Sequence, residues 1–395
     1  MLTYVDRHLH IEDVSVADVA RVVRTPFYLY SLDELTRRVL RLRRAFPKAL
    51  IAYAYKANAT PALLAHLTAQ GCGADVVSLN ELRAALAAGV PPDHIVVNGN
   101  AKGDDFLRLA ICVGVRTINL DAREEIPRVA RLAEAEGRDV NVSLRINPGL
   151  DVHTHPHLQV GARGSHFGIP PDDVLHAAAD VAETRLLHLQ GIHIHAGSQL
   201  LDDKELEQIA EVASGWVTQL RAAGHDIRSL DLGGGFGIDY TGDQEITPER
   251  VARRWDAHLA SLNVNLILEP GRWVIARAGI LVVRVVQVKH AWGRTFVAVD
   301  GGMNALLRPA LYGARHRIWP VVRRGEERPV DVVGPNCESA DVLGRDVLLP
   351  PVTPGDLLVI LDTGAYGYSL ANRYNLRPWP PQVVVEGTAW RVLPD

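Results

Sequence analysis

The sequence predicts an α/β chain: a (β/α)8 barrel followed by a smaller, mostly-β domain. Three observations lead there. Short apolar runs alternate with longer Leu- and Ala-rich helical segments through most of the chain. The chemistry-bearing residues collect at the C-terminal ends of those runs, the face where barrel enzymes build their sites. After about residue 282 the helical segments give way to β-branched runs bounded by Gly and Pro. The expected boundaries are 25–282 for the barrel, with 1–24 and 283–395 forming a β-sandwich or β-barrel-like domain.

In chain order the barrel strands are IAYAYK ending at Lys56, ADVVS at Ser78, HIVVNGN at Asn100 and RTINLD at Asp121. They continue with NVSLRINPG at Gly149, LQGIHIHAGS at Ser198, SLDLGGG at Gly235 and NLILEPGR at Arg272. Segments such as PALLAHLTAQG and SLNELRAALAAGV lie between them, with apolar residues at helical spacing and a Gly at the end. Eight strand–helix units are the number such a barrel requires. In the second domain ILVVRVVQVKH, TFVAVDGGM, PVDVVGP, DLLVILDTG and QVVVEGTAWRVL read as strands with little helix between them.

The 395 residues are 47% hydrophobic, enough for a large core, and the net charge of -4 gives no basis for binding nucleic acid or an anionic membrane. The start MLTYVDRHLHIEDVSV lacks the apolar core of a signal peptide. The run GILVVRVVQV is too short to span a bilayer. Three cysteines, Cys72, Cys112 and Cys337, form neither a disulfide framework nor a zinc motif, so a cytoplasmic protein is expected.

Lysine chemistry has only five places to reside: Lys48, Lys56, Lys102, Lys204 and Lys289. Lys56 ends an alternating strand between Tyr55 and Asn58, which would aim it into the barrel mouth, where a desolvated amine becomes a nucleophile. A snorkelling surface lysine is the other reading. Gly233, Gly234 and Gly235 follow an apolar strand, where exposed N–H groups suit a phosphate, and they fall after the seventh strand. A tight turn would look the same. Glu269-Pro270-Gly271-Arg272 closes the eighth strand; the carboxylate could face a ring nitrogen or brace the loop through Arg272.

His193 and His195 alternate along the sixth strand and so share a face. With His153, His155 and His157 they raise the possibility of a metal cluster, although a flat imidazole also suits a stacking platform. Cys337 sits in the polar segment GPNCESADVLGRD beside Glu338 and Asp341, which favours a reactive or proton-donating thiol over a buried hydrophobe. Arg308 and Tyr312, in MNALLRPALYGA, offer a fork and a hydroxyl suited to a carboxylate.

Taken in order, YAYKAN, ADVVSLNEL, RINPGLDVHTHP, SHFGI, GIHIHAGSQ, DLGGGFGIDY and EPGR resemble the fold-type III, alanine-racemase-like decarboxylases. The likeness runs on through DGGMNALLRPALYGARH, GPNCESADVLGRD and GAYGYSLANRYNLRP, and is greatest to the diaminopimelate decarboxylases. The resemblance implies that Lys56 carries pyridoxal 5'-phosphate, that His195 stacks on its ring and that Glu269 meets its pyridine nitrogen. It implies that Ser198, Gly234, Gly235 and Tyr366 hold the phosphate, with Asp75, Arg145, Gly271 and Arg272 also near the cofactor. Arg272, Arg308 and Tyr312 would grip a distal substrate carboxylate, with Glu338 and Tyr366 also at the substrate. Cys337 and Glu338 would come from the other subunit of a homodimer, Cys337 donating a proton. The implied reaction is meso-2,6-diaminopimelate to L-lysine and CO2.

His166 stands in SHFGI where the diaminopimelate enzymes usually carry lysine, and Arg373, Leu376 and Trp379 depart from the usual residues in RYNLRPWP. These leave room for a sister decarboxylase acting on a basic, D- or carrier-tethered amino acid. More distant readings are a metal-dependent barrel hydrolase built on the histidines and Glu269, and a non-catalytic pyridoxal-phosphate carrier. The carriers have no β domain.

Overall fold

The computed structural model describes residues 1–150, 161–242 and 246–394. His153, His155 and His157 lie outside the described residues. The chain divides into two compact units. One comprises Val39–Ile238 and Gln244–Gly271; the other comprises Met1–Arg38, Asp239–Asp243 and Arg272–Asp395.

The first unit is a closed parallel barrel. Its strands are 1 (Leu50–Ala54), 2 (Gly73–Val76), 3 (Ile95–Val97) and 4 (Thr117–Leu120), then 5 (Val140–Arg145), 6 (Leu187–His193), 7 (Ser229–Asp231) and 8 (Asn265–Leu268). Strand 8 closes the ring on strand 1 with Ile267 opposite Leu50 and Leu268 opposite Ile51. Ala52, Val96 and Ile267 pack together inside, so the barrel is a filled core. The connecting helices begin and end by familiar chemistry. Ser78 caps the helix Leu79–Ala87 by accepting from Glu81 N, while the Glu81 carboxylate accepts from Val77 N at 2.8 Å. Gly114 and Gly137 end their helices with positive φ.

In the second unit the long strand Gly279–Ala291 is central. It pairs antiparallel with Phe27–Ser31, Arg294–Val299 and Leu357–Ile360. The strands Arg328–Val333, Val342–Leu349, Gln382–Glu386 and Ala389–Val392 extend the sheet, and Ile318–Pro320 joins through Leu357–Ile360. Leu9, Ile11, Phe27, Leu29, Ile280, Val282, Val359 and Val383 form its core. The run FYLYS, which falls within the 25–282 range read for the barrel, therefore lies in this sheet, with Tyr30 opposite Gly279. All five of its residues are buried, and an apolar run of that length does not say which sheet it joins.

Candidate active site

Barrel strand 1 ends at Ala54, opposite Asp75 of strand 2. Lys56 was expected as the last residue of that strand; it lies instead in a 3-10 turn, Tyr55–Ala57. Gly271 packs closely on this turn: a Cβ there would sit 2.9 Å from the Ala57 side chain. Lys56 Nζ is 3.6 Å from Asp75 Oδ2, and the lysine side chain is 44% exposed while that of Asp75 is fully buried. An ammonium at the open end of the barrel is thus held by an acid at its floor.

The floor is a connected set of polar groups on successive strands. Asn98 Nδ2 donates to Asp75 Oδ1 at 2.8 Å and to Glu269 Oε1 at 2.5 Å. Asn119 Nδ2 in turn donates to Asn98 Oδ1 at 2.9 Å. His193 Nε2 lies 3.2 Å from Glu269 Oε2. Burial alone would raise the Glu269 carboxyl, but the charge and hydrogen bond of His193, with Lys56 and Asp231, outweigh it and hold it well below the usual carboxylate range. Asp75 is pushed up to about 6 by burial and by the Glu269 charge, against the opposing pull of Lys56. Glu269 is therefore a buried carboxylate that stays ionised.

His195 lies beside Gly233, and burial, then the charges of Lys56 and Arg145, keeps its imidazole neutral. The glycines after strand 7 are required by space as well as by backbone. A Cβ on Gly234 would sit 2.5 Å from the Glu269 carbonyl oxygen, and one on Gly233 2.7 Å from His195 Nδ1. Gly233 and Gly235 have φ of 61° and 86°. Arg145 donates to Asp121 at 2.8 Å and lies over the Phe167 ring at 4.6 Å. Ser198 is half-buried in the segment after strand 6.

The second unit holds the remaining sequence candidates. Arg272 and Arg308 are both buried. Arg272 donates to the Tyr240 hydroxyl at 2.9 Å and lies 4.7 Å from the Tyr366 ring centre. Arg308 lies 4.2 Å from the centre of the Tyr240 ring and donates to His316 Nε2 at 2.7 Å. Tyr312, half-buried, acts electrostatically on both guanidiniums. Burial lowers the Arg308 pKa; Tyr240 opposes this, and the neighbouring Arg272 charge lowers it further.

Cys337 is exposed, and its backbone N–H donates to Asn375 Oδ1 at 3.1 Å. Glu338 accepts from the Tyr374 hydroxyl at 2.6 Å. Asp341, read above as an acid beside the thiol, is buried and accepts from Met303 N and from the backbone and side chain of Asn336. It shapes the loop, because a buried carboxylate needs those donors. His166, Arg373, Leu376 and Trp379 are all exposed.

Residues 32–276 match the family model described as the pyridoxal-binding domain of pyridoxal-dependent decarboxylases. The chain belongs to the pyridoxal-dependent decarboxylase family. A diaminopimelate decarboxylase from Zymomonas mobilis is 39% identical over 96% of this chain and 92% of its own length. One from Aquifex aeolicus is 37% identical over 99% of this chain and 94% of its own. The crystal structure of diaminopimelate decarboxylase from M. jannaschii in complex with L-lysine is 34% identical, with a TM-score of 0.95 over 99% of this chain and 94% of that one. The Helicobacter pylori enzyme complexed with L-lysine is 35% identical, with a TM-score of 0.92 over 95% of each chain.

The barrel residues fit the pyridoxal phosphate of this family. Lys56 would supply an amine and Glu269 a buried anion for a protonated ring nitrogen, while the Gly233–Gly235 turn packs so closely on Glu269, His195 and Gly197 that a side chain there has no room. His193, Asp231 and Glu269 present ligand atoms within 4.8 Å of one another, so by distance alone they could also hold an ion. Family membership assigns this decarboxylase its cofactor. Sequence reading assigned no role to Asn98, Asn119, Asp231, Tyr240 and His316. Asp231 carried a usable signal, an acid inside the SLDL strand; Tyr240 and His316 lay at the ends of the DLGGGFGIDY and DGGMNALLRPALYGARH motifs, but which arginine each meets is not legible there.

Proposed function

We propose that this decarboxylase acts at the D-configured carbon of meso-2,6-diaminopimelate, releasing CO2 and L-lysine, as a homodimer in the cytoplasm. The observation that carries the substrate reading is the pair Arg272 and Arg308: two buried guanidiniums walled by Tyr240 and Tyr366. A second, distal carboxylate on the substrate would offset both charges and accept from the Arg308 fork. Lysine and ornithine carry an ammonium at that end, which two arginines repel.

Bound pyridoxal phosphate supplies an electron-withdrawing ring that accepts the electron pair left when CO2 departs. In this reading Lys56 holds the cofactor covalently and Asp75 orients the lysine amine. His195 would stack on the cofactor ring, and the ionised Glu269 would keep its ring nitrogen protonated. Ser198, Gly234, Gly235 and Tyr366 bind the phosphate, with Arg145 and Gly271 nearby. Arg272, Arg308 and Tyr312 orient the substrate so that the carboxylate on the reacting carbon is the one that leaves. Cys337 and Glu338 serve the neighbouring subunit's site, where the Cys337 thiol delivers a proton to that carbon. An exposed thiol of this kind stays reduced in the cytoplasm.

The test is to mix cofactor-loaded protein with meso-diaminopimelate and follow lysine and CO2 together. Equal amounts of both support the assignment. Absence of turnover, with the visible absorption of lysine-bound cofactor present, would move the substrate to another amino acid, and a panel of basic and D-amino acids would identify it.

A further inference from the structure

Asp231 is the last residue of barrel strand 7, opposite His193 of strand 6 and Ile267 of strand 8. It is 2% exposed. Its two oxygens have different surroundings. Oδ1 accepts from Gly233 N at 2.8 Å, at the start of the glycine turn. Oδ2 is buried and, among the described residues, no N–H or O–H donor reaches it. The carboxylate as a whole has another acid nearby: one oxygen each of Asp231 and Glu269 and a ring nitrogen of His193 all lie within 4.8 Å of one another.

A buried oxygen facing a second carboxylate with no donor between them is costly when both are ionised. One proton between the two removes the repulsion and satisfies the orphaned atom. Which acid keeps the proton follows from the neighbours. Glu269 already accepts from Asn98 and faces His193, whereas Asp231 has one backbone donor and faces Glu269 and Asp75. Burial and the Glu269 charge both push the Asp231 carboxyl far above its ordinary value.

We propose that Asp231 is a positioning residue: a neutral carboxylic acid that donates its proton in a hydrogen bond to Glu269 while accepting from Gly233. Through these two bonds it ties the glycine turn to the buried carboxylate, fixing the spacing between a phosphate grip and a ring-nitrogen grip. The roles of those two grips rest on the function proposed above; the protonation of Asp231 does not.

Two substitutions separate this from a merely space-filling role. Asp231→Asn keeps an acceptor for Gly233 and a donor for Glu269, whereas Asp231→Ala removes both. In the full chain, the infrared difference spectrum between wild type and Asp231→Asn should contain the carbonyl band of a protonated carboxylic acid, with or without added pyridoxal phosphate. Asp231→Ala should weaken pyridoxal phosphate binding roughly 10- to 100-fold, the effect of losing a buried hydrogen bond to a charged group, and Asp231→Asn should recover most of that loss. The proposal is overturned if the band is missing, if Asp231→Asn binds as poorly as Asp231→Ala, or if Asp231→Ala binds like wild type. Loss in both variants would point to an ionised Asp231, as a metal ligand requires. The role of Glu269 is read separately, from cofactor binding by Glu269→Ala; normal binding there would remove the ring-nitrogen reading, and the infrared band would still decide Asp231.

Discussion

Lys56 is half-exposed and its Nζ lies 3.6 Å from the buried Asp75 carboxylate, so the free amine is held close to one acid. Lys56→Ala is expected to abolish both turnover and the visible absorption of lysine-bound cofactor; a persistent band would show that another group holds it. Arg308 is buried and braced, so Arg308→Leu should raise KM for diaminopimelate by roughly two orders of magnitude through loss of a charge-assisted contact, with the cofactor spectrum unchanged. His316 sets the other side of that arginine. Its Nδ1–H donates to the Leu361 carbonyl at 2.8 Å, leaving Nε2 as the acceptor, so the ring is neutral. Burial and the Arg308 charge hold its pKa down to about 3. The unfolded chain protonates this histidine near its ordinary 6.5, and the folded chain does not. The stability it contributes is therefore complete above about pH 6.5 and is lost as pH falls towards about 3, about 5 kcal/mol when fully developed. Denaturant midpoints measured between pH 7 and 4 should fall less steeply in His316→Gln than in wild type.

The turn after strand 7 is where element and function meet. Its glycines are set by the Glu269 carbonyl and the His195 ring, which leave no room for a Cβ. Gly234→Ala should force the turn aside, costing about 1–3 kcal/mol of stability. It should also weaken cofactor binding by at least about tenfold, read by absorption titration, while far-ultraviolet circular dichroism shows the barrel intact. All eight barrel strands were legible from alternation, flanking glycines and spacing. Their ends were not: the runs read to Lys56, Asn100, Gly149, Ser198, Gly235 and Arg272 stop at Ala54, Val97, Arg145, His193, Asp231 and Leu268, so His195 lies past the end of strand 6. IAYAYK reads as one strand, but the ladder stops at Ala54 and the chain turns, because pairing partners decide where a strand ends. The run FYLYS likewise showed its buried, extended character but not its sheet.

For the whole molecule the proposed dimer makes a quantitative expectation. If Cys337 serves the neighbouring subunit, Lys56→Ala and Cys337→Ala are each nearly inactive alone. Mixed and allowed to exchange, they should regain about a quarter of wild-type activity, since half the dimers are hybrids with one intact site of two. No recovery on verified exchange would place Cys337 at its own chain's site. Lys56, Glu269, His195, the glycine turn, Arg272 and Arg308 stood out in the chain as candidates because each carries unusual chemistry at the end of an apolar run. The sequence by itself determined the barrel, the β-rich unit and the family, since periodicity and ordered motifs are local properties of the chain. Only the tertiary structure decided which partners these residues have. That Asn98 bridges Asp75 and Glu269, that Asp231 faces a second acid, and that His316 braces Arg308 depend on strand register and long-range packing, which bring together side chains 8 to 171 positions apart.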